Sequence, residues 1–261
     1  VEIARRRLSV SKILTADAFE NAMRVLLAIG GSTNGIIHLT AIAGRLGLDL
    51  DLQALDRMGR ETPVLVDLKP SGQHYMEDFH KAGGMATLLR ELKPLLKLDA
   101  LTVTGRTLGE EIERAGPGFA QSVVRTRQNP IYPQGGIAVL SGNLAPEGAI
   151  IKQSSADAGL MEHEGRAVVF ENAEDLASRI DAADLDVTPQ DILVLKNIGP
   201  KGAPGMPEAG YIPIPKKLAA QGVKDIIRIS DGRMSGTAFG TIVLHVTPEA
   251  AIGGPLAYVR N

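Results

Sequence analysis

Two stretches, DILVLKNIGPKGAPGMPEAG (Asp191 to Gly210) and DIIRISDGRMSGTAFGTIVLHV (Asp225 to Val246), decide the reading of this chain. Each opens on a short apolar run and passes directly into a glycine-rich segment, and the second closes on another apolar run. Runs of this length bounded by Gly and Pro read as buried strands, with loops between them. Glycine is costly to order and adds nothing to a core, so backbone this rich in it is shaped for close approach to a ligand. Glu208 and Ser235 are the polar groups within these loops that need explaining. Taken singly, each loop is equally well an ordinary connector; the pair is harder to dismiss.

The same strand-and-glycine pattern extends outward. GIAVLSG (Gly136 to Gly142), GAIIKQS (Gly148 to Ser154), RAVVFE (Arg166 to Glu171) and PLAYV (Pro255 to Val259) also read as strands. This spacing favours a closed or nearly closed barrel, with helices inserted at AEDLASRI (Ala173 to Ile180) and IPKKLAAQ (Ile214 to Gln221). Before about Asn129 the character is different. Thr15 caps a helix with Phe19, Ala22, Val25, Leu26 and Ile29 as its buried stripe. A second helix runs from about Gly35 to Arg45 and is ended by Gly47, PVLVDL (Pro63 to Leu68) is a buried strand, and helices follow around Tyr75 to Ala82 and Met85 to Leu92. This alternation predicts α/β layering. The boundary is expected within Ala115 to Gln128, where GPG and RTRQ interrupt the pattern, giving regions 1–125 and 126–261.

Composition excludes several classes. Lys+Arg 28 against Asp+Glu 30 leaves a net charge of −2, without the clustered basic charge that nucleic acid demands. Aromatic residues at 3% are too few for base-stacking platforms. No apolar run reaches the ~18 residues needed to span a bilayer, and the opening residues show no signal-peptide pattern, so a cytoplasmic protein without membrane or nucleic-acid partners is the expectation. The histidines are scattered. His38, on an apolar helix, reads as a core residue; His74 and His80 share no helical face; His163 reads as solvated; His245 can face either side of its strand. None is expected to ligate a metal.

Ordered motifs then point to a family. GGSTN (Gly30 to Asn34), DLKPSGQHYMEDFHKAGG (Asp67 to Gly84), LTVTGRTLGE (Leu101 to Glu110), NPI (Asn129 to Ile131), GNLAPEG (Gly142 to Gly148), GPKGAPGMPE and SDGRMSGT resemble the dihydroxy-acid dehydratase and phosphogluconate dehydratase family along essentially the whole chain. GMPE and SGTAFGT look like its sugar-acid branch, the arabonate and xylonate dehydratases. The resemblance implies an α/β protein: the end of an α/β N-terminal domain followed by a swivelling β/β/α barrel. It implies a hydro-lyase that turns a sugar acid into a 2-keto-3-deoxy acid, with Ser235 as the base at C2 and Glu208 as a magnesium ligand. It implies an iron–sulfur cluster assisting loss of the C3 hydroxyl, and assembly as a homodimer or homotetramer.

Thr237 and Asn34 are candidate substrate contacts, Asn34 because GGSTN can present backbone donors to a carboxylate. The chain has no cysteine and cannot hold the cluster. It is therefore expected to be an internal fragment, inactive alone, of a longer dehydratase. Each residue also has a plainer reading. Ser235 can be a turn serine, Glu208 a solvated loop acid, Thr237 a β-branched residue entering a strand, Asp231 a loop brace, and GGSTN a simple connector. The competing functions are a dihydroxy-acid dehydratase of branched-chain amino-acid biosynthesis and a non-catalytic module that binds small acids.

Overall fold

The computed structural model describes residues 2–69, 71–204, 212–234 and 240–261, in two compact units, Val1–Ile137 and Ala138–Asn261. Glu208, Ser235 and Thr237 lie outside the described residues.

The first unit is helical. Its elements are α1 (Glu2–Arg5), α2 (Val10–Ile13), α3 (Ala16–Ala28), α4 (Asn34–Arg45), α5 (Leu52–Glu61), α6 (Met76–Lys81), α7 (Gly84–Leu92) and α8 (Leu108–Arg114). Thr15 caps α3 as its sequence predicts, its hydroxyl accepting from Ala18 N at 3.3 Å, a contact of about 1 kcal/mol. The buried stripe differs from expectation. Phe19, Met23, Leu27 and Ala28 are buried, while Ala22, Val25, Leu26 and Ile29 are only half-buried. Arg24 is itself buried on this helix, pairing with Glu20 one turn before it and tying the helix to Glu61 and Thr62. Two helices escape the apolar pattern and announce themselves by their caps. Asp51 accepts from Gln53 N and Ala54 N at the start of α5, and Thr107 with Glu110 forms a capping box on α8.

PVLVDL is extended and buried, but it forms isolated bridges rather than a ladder, Val64 with Tyr132, Val66 with Val124 and Leu68 with His74. Each partner comes from a different segment, so no run of pairs develops. Residues 126–137 bond within this unit, Tyr132 O accepting from Val64 N and Gly135 N donating to Gly59 O. Leu65, Val66, Phe79, Leu88, Leu92, Ile112 and Val124 share one core. His38, read from the sequence as a core residue, is exposed on α4.

The second unit is a mixed six-stranded sheet with helices. Its strands are β1 (Ala138–Leu140), β2 (Gly148–Ile151), β3 (Ala167–Phe170), β4 (Ile192–Leu195), β5 (Arg228–Ser230) and β6 (Ile242–Thr247). Their order is β1-β2-β6-β5-β4-β3, antiparallel from β1 to β6 and parallel from β6 to β3. The parallel strands read as continuous apolar runs because both faces are covered. Phe170, Leu193, Leu195, Ile242 and Leu244 pack with Leu176 of α9 (Ala173–Arg179) and Leu218 of α10 (Lys216–Ala220). Val169, Val194 and Val246 pack on the other face with Ala149, Ala250 and Leu256. PLAYV, expected as a strand, is instead a 3-10 turn over Pro255–Tyr258. Pro255 suits the first position of such a turn and has no N–H to give a ladder.

Phe170 and Leu193 are fully buried, whereas Ile252 is exposed. Phe170→Ala is expected to lower stability by about 3–5 kcal/mol in denaturant unfolding and Leu193→Ala by about 2–5 kcal/mol. Ile252→Ala should stay within about 0.5 kcal/mol.

Candidate functional site

Adjacent parallel strands bring the two glycine-rich segments together. β4 and β5 are paired in register, Leu195 opposite Ser230, so the segments that follow them leave the same end of the sheet side by side. In open α/β sheets this is the end where ligands bind. The segment after β4 begins at Lys196 and that after β5 at Asp231.

Two buried carboxylates brace this end. Asp231, 2% exposed, accepts from Asn197 N at 3.2 Å, Ile198 N at 3.1 Å and Ala250 N at 2.8 Å. It therefore ties together the chain leaving β4, β5 and β6. The expected brace is present, but it holds other segments rather than its own loop. Glu249, 8% exposed, accepts from Lys201 N at 2.9 Å and Gly202 N at 3.1 Å. Burial raises the Asp231 pKa, opposed by the three backbone N–H groups, and the charge of Glu249 raises it further.

Glycine is required at two of these contacts. A Cβ on Gly202 would stand 2.6 Å from the carbonyl oxygen of Asn197, and one on Gly232 would stand 2.4 Å from Ile198. The far ends of both segments are fixed too. Arg228, 3% exposed, donates to Ile212 O and pairs with Asp225 at 2.8 Å. Asp225 in turn accepts from Thr241 N at 2.7 Å, and Gly240 N donates to Ser155 O at 2.7 Å.

His245 stands out at the same place. It is 7% exposed and sits in the left-handed region with φ 57. Its N–H donates to Gly232 O at 3.1 Å, while neither ring nitrogen has a hydrogen-bond partner among the described residues. Burial, and then the positive charge of Arg233, pushes its pKa down to about 4. The sequence left its orientation open, and its one signal for Glu249 is a carboxylate just beyond an apolar strand, which does not tell what that carboxylate meets.

The other candidates are less gathered. Asn34 opens α4, half-buried, with its N–H donating to Ser32 Oγ at 3.2 Å, and it belongs to the first unit. His74 lies between Asp67 and Asp78 at 3.8 and 3.9 Å, and His163 is half-buried with Nε2 2.7 Å from Gln190 O. The first unit holds a cavity of about 330 Å³ lined by Met23, Ile36, Leu55, Arg24 and Glu61. It contains none of the candidate residues, and Arg24 is engaged by Glu20, Glu61 and Thr62. Among the described residues no group of three His, Cys, Asp or Glu side chains could hold a metal ion. No described helix is long and apolar enough to cross a membrane.

The family model described as dihydroxy-acid/6-phosphogluconate dehydratase C-terminal matches residues 122–261, and its N-terminal counterpart matches residues 1–111. The chain belongs to this dehydratase family. Among its relatives, the L-arabonate dehydratase of Azospirillum brasilense is 53% identical over 264 residues, covering 100% of this chain and 45% of the relative. The 6-deoxy-6-sulfo-D-gluconate dehydratase of Pseudomonas putida is 47% identical, over 100% and 45%. The dihydroxy-acid dehydratase of Methanothrix thermoacetophila is 43% identical, over 100% and 48%. The dehydratase-family chain thus spans just under half the length of these relatives.

Two outcomes are expected. Asp231→Ala, which strands the N–H groups of Asn197, Ile198 and Ala250, the last two buried, should cost about 3 kcal/mol in denaturant unfolding. For His245, a folded pKa of about 4 against 6.5 unfolded means that the unfolded state binds the extra proton as pH falls. The stability it contributes is complete above pH 6.5 and is lost on descent to pH 4, about 3 kcal/mol in all. His245→Asn should lose that much less stability between pH 7 and pH 4. Equal losses in both proteins would mean the ring titrates as it does in water.

Proposed function

We propose that this chain is part of a sugar-acid hydro-lyase that converts a 2,3-dihydroxy acid into a 2-keto-3-deoxy acid. The observation that carries the reading is the pair of glycine-rich segments leaving adjacent parallel strands, cross-braced by Asp231 and Glu249. Membership of the dehydratase family supplies the reaction class, and the identities favour the sugar-acid branch: 53% and 47% to arabonate and sulfogluconate dehydratases, against 43% to a dihydroxy-acid dehydratase.

In this reading the proton at C2 passes to the ionised Ser235, the C2–H electron pair forms the C2–C3 double bond as hydroxide leaves C3, that hydroxide takes up the abstracted proton and departs as water, and the resulting enol tautomerises to the ketone. The C2 proton is weakly acidic and hydroxide is a poor leaving group, so base and electrophile must act together. Ser235 follows Met234, whose side chain is buried at the edge of the braced segment. A serine hydroxyl serves as base only where fixed donors or a cation favour its ionised form. Thr237 and Asn34 are assigned to substrate contact. The second unit is assigned to a swivelling β/β/α domain, and the protein to a cytoplasmic homodimer or homotetramer.

The residues present do not fit an iron–sulfur cluster, since the chain has no cysteine. Glu208 by itself would be one magnesium ligand of several. Both groups are accordingly assigned to the longer protein, with their remaining ligands outside this sequence.

The test uses the full-length protein that carries this sequence, reconstituted anaerobically with iron, sulfide and magnesium. Arabonate, xylonate, gluconate and a branched-chain dihydroxy acid are assayed for 2-keto-acid formation. Turnover of a sugar acid is expected, with Ser235→Ala lowering kcat by about 10²–10⁴-fold, the range for loss of a general base. Preference for the branched-chain acid would move the assignment to that branch. Binding of sugar acids without any turnover would favour the non-catalytic module.

A further inference from the structure

The strand that carries His245 is interrupted at that residue. β2 and β6 pair at Ile150 with Leu244 and next at Gly148 with Thr247, so Ala149 alone stands opposite both His245 and Val246. This two-against-one count is a β-bulge, and the left-handed backbone of His245 is what produces it. Its effect shows in the packing. Ile242 and Leu244 face one core and Val243 the other, but Val246 lies with Val243 rather than with Leu244. The bulge resets the pleat and takes His245 out of the alternation, and bulges are found beside active sites where they re-aim a side chain.

Three features of this residue therefore coincide: a left-handed backbone, burial, and two ring nitrogens without a partner among the described residues. Buried polar atoms in native proteins are nearly always paired, so an orphaned imidazole marks a place where something else supplies the partner. The His245 N–H is bonded to Gly232 O, within the segment that runs directly into Ser235. Arg233, two residues before Ser235, is the charge that acts on the ring.

We propose that the imidazole of His245 is a hydrogen-bonding contact for a hydroxyl group of the polyhydroxy acid taken by this site, an assignment that rests on the dehydratase reading above. A neutral imidazole offers one N–H donor and one lone pair. A hydroxyl, itself both donor and acceptor, matches that pair; a carboxylate matches only the donor. Burial and the nearby Arg233 keep the ring neutral at physiological pH, so it offers one donor and one acceptor to a hydroxyl; it lacks the charge of an anion clamp and, with its pKa pushed down to about 4, the basicity of an effective general base.

The test measures binding without turnover, in the full-length reconstituted protein carrying Ser235→Ala. Calorimetric titration with arabonate, xylonate and gluconate first identifies the acid that binds. His245→Asn is then added, because asparagine tolerates the left-handed backbone while its shorter amide does not reach as far. Loss of one hydrogen bond predicts roughly tenfold weaker binding, with the melting temperature within a few degrees of the reference. His245→Gln, with longer reach, should recover part of the loss, and it decides by the same criteria if the asparagine variant does not fold. Affinity unchanged within about twofold would overturn the proposal and assign the ring to an enclosed water. Absence of sugar-acid binding in the Ser235→Ala reference would be seen before any change at His245, and would overturn the dehydratase reading and the proposal with it.

Discussion

The carboxylate of Asp231 accepts three backbone N–H groups from two other segments, and the arrangement of the candidate site depends on that contact. Chain leaving the end of a sheet has lost its ladder partners, and its N–H groups need acceptors if they are to be buried. A carboxylate with two oxygens is the most economical solution, because charged acceptors bond more strongly than neutral ones. Asp231 is desolvated to the point that its pKa rises despite those three donors. Its position is therefore fixed by geometry rather than by an ion pair, and the segments after β4 and β6 must meet it where it stands. Glu249 repeats the device one step further out, on Lys201 and Gly202.

The mixed sheet gives these carboxylates something to hold. Its parallel half places the ends of β4, β5 and β6 in a row, so that residues far apart in sequence leave the sheet as neighbours. Its antiparallel half contributes the bulge at His245, which parallel pairing rarely accommodates. Gly202 and Gly232 then allow backbone to pass at distances that a methyl group would block. The glycines of the two motifs are thus partly explained by packing at the feet of the loops, before any ligand is considered.

Much of this was legible in the sequence. The β1 to β6 runs were readable because short apolar stretches bounded by glycine have few alternatives, and the caps at Thr15 and Asn172 sit where the apolar periodicity begins. PLAYV failed because an apolar five-residue run does not tell a strand from a turn, and Pro255 was the overlooked clue. The stripe of α3 was read in part: Phe19 is buried and Val25 and Ile29 pack against the core, but Arg24 is also an interior residue, with partners at Glu61 and Thr62 that no local pattern reveals. His38 failed because an apolar helix still has an outer face. At the site, Asp231 was visible as a brace, but the identity of what it braces is a property of the sheet order. Glu249 and His245 acquire meaning only when β6 is seen beside β5.

One division of labour follows from the way the buried charges are used. Asp231 and Glu249 are occupied with backbone N–H groups, and Arg228 with Asp225 and Ile212. A carboxylate committed to several backbone donors is a poor base and a poor metal ligand, since either role would strand the donors it holds. The acids nearest the two loops are therefore structural, and in the reading proposed above the reacting groups come from within the glycine-rich segments or from the counterpart of the more than half of the relatives' length that this chain does not cover. His245 is the exception, a polar group placed among these braces whose ring nitrogens have no partner among the described residues. Its backbone is bonded into the frame while its ring is not, the combination that separates a residue held for use from one used for holding.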